Sequence, residues 1–492
     1  MKNRKADAKF LRIMKLKRRF AALFVVIALL SGCSGIYSKQ PVYYGYFANA
    51  LRTKQWNVPA PKKLPRKVWS YEDKTMNQNA EDFFGGNGPT IANGVAYFGG
   101  NGITALDIKT GKQIWHSALP EYSVIYSSPL FYKGRLFVVG GSVDKHSNLV
   151  QKLLAVDAKS GKSLWKSGEI GLSGISFSDE NPIIINGKIY LGVITPLPQK
   201  ANAPAPEGHV RVWDAISGKV TNEIVIDPKA DVFFDTLATD GRYLYGSLIK
   251  GYSYYSVFCY DTGTNKVKWV IDAKDKNRTN YRWPRLAISS GVIIVSYLCI
   301  PKNGISPNEL TVIKAYDIKT HKLLWRKETC CISKSDSKAF YSKYNPKIRF
   351  QYFQRPDFAV EKGRIYYTVG DGRIVCADLR SGKELFERTW SEFQGKVKTE
   401  KGVVDYPEIN FYATDDVLYI ATEIYPNNQD KEGTGIVIAL NGENGKTLWK
   451  RSINAPGSVV LSIVPVKSGM LITWVTDEWA PKRVPVTFEL WD

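Results

Sequence analysis

A nine-residue motif, Asp-x-x-x-Gly-Lys-x-x-Trp, recurs along this 492-residue chain at a spacing of roughly fifty residues. Complete copies run from Asp107 to Trp115 and from Asp157 to Trp165. Self-similarity at a fixed period is the signature of repeat architectures, so it constrains the fold more than any other feature. Looser copies begin at Asp214, Asp261, Asp317, Asp378 and Asn441.

Each repeat unit also contains a second turn, placed before the motif between two short apolar runs. Apolar alternation ending at the motif Asp predicts one strand, and the motif Trp lies on the next. Four antiparallel strands in about fifty residues are typical of a β-propeller blade. Eight such second turns occur, at Gly94, Gly134, Gly187, Gly241, Gly291, Gly363, Asp416 and Gly469.

The two ends of the chain complement each other in this repeat. The eighth unit stops at Asp492, where a motif copy would begin, whereas Lys67-Val68-Trp69 supplies a Lys-x-Trp strand near the other end. We therefore predict an all-β fold: an eight-bladed β-propeller of four-stranded antiparallel blades, closed by the N-terminal strand joining the last blade. Closure removes free sheet edges that invite aggregation. An open solenoid is the alternative.

The N-terminus has the pattern of a bacterial lipoprotein signal peptide. Nine Lys or Arg residues within residues 1–19 precede an apolar run, Phe20 to Leu30, which is too short for a comfortable membrane span. Small residues then lead to Cys33. A leader of more ordinary length would start at Met14 rather than Met1.

These features divide the chain into three predicted parts. Residues 1–32 form the signal peptide, residues 33–63 a flexible tether anchored by lipid on Cys33, and residues 64–492 the propeller. Because Ser34 follows the lipidated residue, we expect the outer membrane, with the protein facing the periplasm.

Cleavage of the leader leaves a basic protein. Residues 1–19 carry nine positive charges and one negative charge, so their removal lowers the net charge from +22 to +14. A secreted lipoprotein seldom meets nucleic acid, and we expect no nucleic-acid partner. The charge indicates attraction to anionic lipid, to glycans or to an acidic partner, or else a solvated surface alone.

Cysteines and histidines bound the chemistry further. Cys259, Cys299 and Cys376 fall in predicted strands, where packing is the expected role. The adjacent Cys330 and Cys331 either form a strained vicinal disulfide or stay reduced. The four His residues are scattered over different units, which argues against a His-based metal site.

A long connection between the fifth and sixth blades interleaves basic and aromatic residues. Such a mixture suits binding to an acidic protein, a sugar or a quinone-like ring, although the same aromatic residues could simply pack on their own blade. Loops elaborated on a rigid ring are a usual place for function. The partner-binding candidates are Lys343, Tyr344, Lys347, Arg349, Phe350, Tyr352 and Arg355.

Polar residues near the starts of inner strands form a second candidate site, beside the central channel. They are Asp235, Arg285, Asp357 and Asn410. Two carboxylates and an Arg there could hold a polar ligand or a cation, or they could only solvate the channel.

The repeat, in its Ala-x-Asp-x-x-Thr-Gly-Lys-x-x-Trp form from Ala105 to Trp115, resembles the pyrroloquinoline-quinone (PQQ) type of propeller repeat. Two groups share that repeat. The periplasmic quinoprotein alcohol dehydrogenases imply PQQ, a calcium ion held by Glu, Asn and Asp, a catalytic Asp, and often a vicinal disulfide. In this chain the Cys330–Cys331 pair lies later in the ring than that family places it, and a Gly-Asp-Asn-Lys-Trp stretch is absent.

The second group comprises the outer-membrane assembly lipoproteins of the BamB type. This resemblance implies a monomeric ring without a cofactor, which binds a β-barrel assembly partner through loops on one face. We therefore expect a non-catalytic protein-binding scaffold anchored at the outer membrane, with no catalytic residues and no metal. The alternatives are a PQQ- and calcium-dependent dehydrogenase and a glycan-binding propeller.

Overall fold

The computed structural model describes the core of each repeat unit. Contacts divide the chain into Met1–Pro41 and Val42–Asp492, and every described residue lies in the second unit. Secondary structure in the described ranges is strand and turn, and no helix there is long and apolar enough to cross a membrane. The described residues are 55–56, 58–78, 88–119, 124–125, 127–143, 149–170, 182–194, 208–226, 232–250, 254–273, 275, 278–301, 310–330, 357–369, 373–389, 409–424, 434–453, 455, 458–467, 469–476 and 484–492.

The described strands form eight sheets, each corresponding to one predicted blade. Ahead of the first blade lie β1 (Gln55–Trp56) and β2 (Lys67–Gln78). Blade one contains β3 (Thr90–Ala92), β4 (Val95–Gly100), β5 (Gly102–Asp107) and β6 (Gln113–Ser117). Blade two contains β7 (Val124–Ile125), β8 (Leu130–Tyr132), β9 (Arg135–Val143), β10 (Leu149–Asp157) and β11 (Ser163–Lys166). Blade three contains β12 (Ile183–Ile185), β13 (Lys188–Ile194), β14 (Gly208–Asp214) and β15 (Val220–Val225).

The later blades repeat the same antiparallel order, with the first strand innermost. Blade four contains β16 (Val232–Thr239), β17 (Tyr243–Lys250), β18 (Tyr254–Asp261) and β19 (Lys266–Asp272). Blade five contains β20 (Arg278–Ser289), β21 (Val292–Pro301), β22 (Leu310–Asp317) and β23 (Leu323–Cys330). Blade six contains β24 (Phe358–Glu361), β25 (Arg364–Val369), β26 (Arg373–Asp378) and β27 (Glu384–Thr389). Blade seven contains β28 (Asn410–Thr414), β29 (Val417–Ile424), β30 (Thr434–Asn441) and β31 (Thr447–Ser452), and blade eight contains β32 (Ser458–Val466), β33 (Gly469–Thr476) and β34 (Val484–Trp491).

The predicted closure of the ring is confirmed. Strand β2 pairs antiparallel with β34, so that Lys67 lies opposite Trp491 and Trp69 opposite Leu490. The sheet order β2-β34-β33-β32 makes the N-terminal strand the outermost strand of blade eight. The prediction of an eight-bladed propeller therefore holds, and the open solenoid is excluded.

Apolar side chains of neighbouring blades pack face to face and form the core. One cluster joins Tyr97 of blade one to Leu136 of blade two, and another joins blade eight to blade one. At that last interface the rings of Phe98 and Phe488 stack with centroids 3.9 Å apart. Burial of this apolar surface between blades, repeated around the circle, is the main favourable contribution to folding.

Each motif turn is fixed from within and from the preceding blade. In blade one the Asp107 carboxylate accepts hydrogen bonds from the Thr110 amide and hydroxyl, both at 2.7 Å. Gly111 has a φ of 70°, and a Cβ there would lie 2.6 Å from the Trp69 ring. The Trp69 indole also donates to the Ile108 carbonyl at 3.0 Å. The motif Gly is thus required by backbone conformation and by the Trp of the neighbouring blade.

Degenerate copies of the motif keep this interlock with other side chains. Phe386 takes the Trp position in blade six, and a Cβ on Gly445 would lie 2.6 Å from its ring. His321 takes the Gly position in blade five with a φ of 60°, and its ring lies 4.8 Å from that of Trp269. An aromatic contact therefore replaces the close Trp–Gly approach at this position.

Candidate functional site

The four channel candidates all lie on, or next to, innermost strands. Asp235 lies within β16 and Arg285 within β20, both beside irregularities in strand register. Asp357 immediately precedes β24, and Asn410 is the first residue of β28. The side chain of Asp235 lies outside the described residues. The inner strands therefore bring these positions to successive blades, as the repeat predicts.

Two of the four candidates form a buried ion pair with each other. Arg285 donates to the Asp357 carboxylate, and the two residues are 6% and 3% exposed. The same carboxylate accepts from the amides of Phe358 at 2.8 Å and Phe411 at 3.1 Å. The pair consequently connects the inner strands of blades five, six and seven. Removing one charge would leave the other buried without compensation.

A second buried polar network, which the sequence did not reveal, joins blades four and five. Lys314 donates to the Ala273 carbonyl at 2.7 Å and lies 3.0 Å from the Asp275 carboxylate. Tyr297 donates to the same carboxylate at 2.6 Å. Burial lowers the pKa of Lys314, whereas hydrogen bonds from Tyr297 and Lys314 bring the pKa of Asp275 below its ordinary value despite burial. With donors and acceptors matched, the network stabilises this blade junction.

The sequence gives only one sign of this network, which is a lysine in an apolar strand. Lys314 lies in the centre of β22 between apolar neighbours and points into the sheet packing, where a Lys is rarely buried unless paired. A Lys within a strongly apolar strand was the available signal. Its partner Asp275 is distant in the repeat pattern, so the pairing itself carries no local signature.

The remaining candidates mostly lie outside the described residues. This applies to Cys33, to Cys331 and to the crossover residues between 343 and 355, whose roles stay predictions. Cys330 ends β23, but its side chain is not described. Cys259, Cys299 and Cys376 are buried thiols within their strands.

The inner hairpin turn and the motif turn of each blade lie on one face of the ring. In blade one the Ile108 amide donates to the Gly94 carbonyl at 2.9 Å, and in blade two the Ala158 amide donates to the Gly134 carbonyl at 2.9 Å. Equivalent bonds join the two turns in blades three to seven. We call this the tight-turn face, defined by residues 93–94 and 107–112 of blade one and their equivalents in the other blades.

The segment ahead of β2 crosses the tight-turn face at blade seven. Strand β1 pairs parallel with β28, and the Thr414 hydroxyl donates to the Val58 carbonyl. Lys62 then lies 3.5 Å from the carboxylate of Asp415, in the hairpin turn of that blade. Residues 55–62 therefore run from the innermost strand of blade seven outward along this face.

Blade eight lacks a continuous motif turn, and contacts of Pro61 and Arg66 take its place. The Trp449 indole donates at 2.9 Å to the Pro61 carbonyl. Trp69, Trp115, Trp165 and Trp325 donate in the same way to a carbonyl of the next motif turn. Arg66 and Asp492 exchange two backbone hydrogen bonds, of 2.7 and 2.9 Å. In blade one, by comparison, Lys112 accepts from the backbone of Asp107 at 2.9 Å. Two distant parts of the chain thus reproduce one repeat turn.

The fold and its interlocked turns define a propeller of the PQQ-repeat class. A family-wide sequence profile, described as "Outer membrane protein assembly factor BamB", matches residues 52–275 and 308–469, which is most of the chain. The chain belongs to this family. No curated protein sequence matches it.

Solved structures with the same fold come from both groups that share the repeat. BamB from Moraxella catarrhalis is 13% identical with a TM-score of 0.50, over 87% of this chain and 98% of that one. Quinohemoprotein alcohol dehydrogenase from Comamonas testosteroni is 14% identical with a TM-score of 0.56, over 91% and 80%. A europium-containing methanol dehydrogenase is 12% identical with a TM-score of 0.53, over 92% and 98%. At such identities the likeness concerns the fold alone.

The Asp357 carboxylate is already engaged and does not offer a free ligand for calcium. Calcium takes about six to eight oxygen ligands. Asp357, the candidate carboxylate whose side chain is described, already accepts from Arg285 and from two backbone amides. In the described part of the chain, no group of three or more His, Cys, Asp or Glu residues is arranged to hold a metal.

Proposed function

We propose that this protein is a lipid-anchored scaffold on the periplasmic face of the outer membrane, where it binds a protein component of β-barrel assembly. Membership of the BamB family over most of the chain is the observation that carries the proposal. The signal-peptide pattern ending at Cys33 supports the anchor, and the family description supports the class of partner.

The Arg285–Asp357 pair supports a structural role for the channel side of blades five to seven. Its groups are buried and bonded to one another and to backbone amides. Partner binding is assigned instead to the basic and aromatic crossover residues, from Lys343 to Arg355. Aromatic and Arg side chains dominate the binding energy of many protein interfaces.

The anchor is tested by the mass of the N-terminal peptide and by membrane fractionation of the wild-type protein and of Cys33→Ser. We expect an acylated Cys33 in the wild type, in outer-membrane fractions, and an uncleaved leader in the variant. The mass of that uncleaved leader also shows whether translation starts at Met1 or Met14. An unmodified wild-type N-terminus would contradict the anchor.

The partner is tested by purification of the full chain in mild detergent, with cross-linking and mass spectrometry. We expect an outer-membrane barrel assembly component, lost in a Lys343→Ser/Lys347→Ser/Arg349→Ser/Arg355→Ser variant. Lys166→Ser/Lys266→Ser/Lys268→Ser/Lys450→Ser, which removes four exposed charges from outer strands, is the matched control. Retention of a barrel component by the crossover variant would contradict this assignment.

The same sample distinguishes the two alternatives. The dehydrogenase requires quinone absorbance, one equivalent of calcium and oxidation of an alcohol after addition of PQQ. The glycan-binding alternative requires saturable binding of periplasmic glycans. Either result, without a barrel component, would replace the scaffold proposal.

A further inference from the structure

The outer strand of blade three departs from the repeat at the motif Trp position, where it carries Asn222. Asn222 lies opposite Val212, which packs in the apolar cluster shared with blade four, so the Asn222 side chain faces that blade. The outer strands of the other blades carry an aromatic residue at this position: Trp69, Trp115, Trp165, Trp269, Trp325, Phe386 and Trp449. Among the described blade junctions, the one between blades three and four therefore lacks this aromatic contact.

Polar groups meet at this junction instead of a ring. Asn222 forms a hydrogen bond with the Tyr260 hydroxyl, which donates to the Asn265 side chain at 3.2 Å. Asn265 takes the position of the motif Gly, with a φ of 54°. At four other junctions an indole donates to the carbonyl of the residue that follows the motif Asp. The equivalent residue here is Thr262, and no indole of the described chain donates to its carbonyl.

Two exposed valines of blade four lie beside the same junction. Val267 is opposite Tyr260 and Val270 opposite Phe258, and both aromatic residues pack in the cluster shared with blade three. Directly opposite residues share a face, so the valines also lie toward blade three, where they are 38% and 45% exposed. The residue equivalent to Val270 is polar or charged in the other blades: Ser70, His116, Lys166, Glu223, Arg326, Glu387 and Lys450. Apolar surface is thus exposed at the junction that lacks the aromatic contact.

We propose that this junction is a docking site for an aromatic side chain of a protein partner, with an indole as the best fit. We call it the Asn222 junction, defined by Asn222, Thr262, Asn265, Val267 and Val270. The other junctions show the contacts of such a ring, which lies against the motif turn and donates to a turn carbonyl. A Trp side chain combines a large apolar surface with one polar N–H group, and Trp is enriched among the residues that dominate binding energy.

The junction between blades four and five shows that a turn without Gly accommodates a ring. There His321 takes the Gly position, and the Trp269 ring lies beside it with centroids 4.8 Å apart. Asn265 at the same position of blade four is therefore compatible with a partner's ring. The site involves neither the lipid anchor nor the crossover residues, so its failure would leave the proposed function unaffected.

Fluorine NMR with N-acetyl-5-fluorotryptophanamide as the probe tests the site on the full chain in mild detergent. We expect saturable binding that Asn222→Trp weakens at least about tenfold, because an indole of the chain itself then takes the position. Phe386→Trp, which places the same residue at a junction that already has a ring, is the matched control and should keep the probe affinity. N-acetylleucinamide should compete less well than N-acetyltryptophanamide, since it lacks both the ring and its N–H.

Val270→Lys tests the apolar part of the site with the residue that blades two and seven have there. It should weaken probe binding at least about fivefold, whereas Leu385→Lys, at a 48% exposed position on the outer strand of blade six, should not. Urea unfolding checks that each variant is folded, and Val270→Lys decides alone if Asn222→Trp is not. Unchanged probe affinity in the folded variants, or an equal loss in their controls, would overturn the proposal.

Photo-cross-linking in cells tests the protein partner. With p-benzoylphenylalanine in place of Val267, we expect a cross-link to one protein that disappears when Asn222→Trp is added. The same replacement of Lys450, on the outer strand of blade seven, is the control. A cross-link that Asn222→Trp leaves unchanged would contradict docking of a ring at the Asn222 junction.

Discussion

At the scale of single residues, the motif Gly carries two separate constraints. Gly111 adopts a φ of 70° and lies against the Trp69 ring, whereas Gly134 adopts a φ of 72° with nothing within 4 Å of an added Cβ. The first position therefore combines backbone strain with a steric clash, and the second has backbone strain alone. Comparison of substitutions at Gly111 and Gly134 therefore separates the free energy of the Trp–Gly contact from that of the left-handed backbone conformation.

We predict that Gly111→Ala destabilises the protein by about 3 kcal/mol and Gly134→Ala by about 1 kcal/mol. Left-handed backbone costs a non-glycine residue about 1–2 kcal/mol, and overpacking adds about 1–3 kcal/mol. The measurement is the midpoint of urea-induced unfolding for both variants. Equal losses would show that the Trp69 ring moves aside without cost.

Glu361 is a buried acid with one carboxylate oxygen that has no partner in the described structure. Burial, together with the charge of Asp416, raises its pKa from 4.5 to about 6, although the Asp416 amide donates to the other oxygen at 3.4 Å. The folded state thus favours the protonated acid. Its contribution to stability is present below pH 4.5 and is lost as the pH rises through about 6.

We predict that Glu361→Gln removes the loss of stability that the wild type shows as the pH rises. Above pH 6 the variant should be more stable than the wild type by up to about 2 kcal/mol, because one pKa unit corresponds to about 1.4 kcal/mol. Unfolding midpoints between pH 4 and 8 provide the measurement, with exposed Glu169→Gln as control. If the difference in stability between the wild type and Glu361→Gln does not change with pH, the raised pKa of Glu361 is refuted.

At the scale of strands and blades, the Arg285–Asp357 pair has a consequence for stability. It ties three inner strands together, with both groups buried. We predict that Asp357→Asn costs about 3–5 kcal/mol, because the Arg285 charge is left buried. The double variant Arg285→Met/Asp357→Asn should cost much less, since no charge remains and the Asn side chain still offers an oxygen near the Phe358 and Phe411 amides. A single variant no more damaging than the double one would show that the pair is not a structural contact.

Strand order and closure were predictable from the sequence, whereas the polar contacts between blades were not. The period of the motif fixes four strands per unit, and the fragments at Lys67–Trp69 and Asp492 show how the ring closes. Arg285 lies on an inner strand and Asp357 immediately before one, but their pairing depends on how adjacent blades rotate against each other. No local pattern encodes that rotation, and the Lys314–Asp275 contact was missed for the same reason.

At the scale of the whole molecule, the ring is closed by a turn made from two ends. If Pro61–Arg66 replaces the motif turn between β34 and β2, a continuous copy of such a turn should be able to connect these two strands. We predict that a circular permutant folds when Asp492 is joined to Lys67 by a copy of residues 108–112 and new ends are opened between Gly161 and Lys162. Circular dichroism and urea unfolding should give a cooperative transition within about 2 kcal/mol of the wild type.

The control for this permutant has the same new ends but a Gly-Gly-Ser-Gly-Gly linker. It cannot supply the Thr side chain that the Asp carboxylate bonds in intact turns, so it should be less stable by about 1–2 kcal/mol. Equal stability of the two permutants would show that the closing turn contributes no specific contacts.

The position of β1 also determines how the ring responds to mechanical force. A pull on the chain ahead of Gln55 first loads the parallel β1–β28 pair and the Val58–Thr414 bond, on blade seven. The load is next shared with Lys62 and Pro61 through Asp415 and Trp449. Only after these contacts fail does tension reach β2, the strand that seals the circle. The β2–β34 pair that closes the ring is therefore loaded last, because the contacts of residues 55–62 with blade seven must break first.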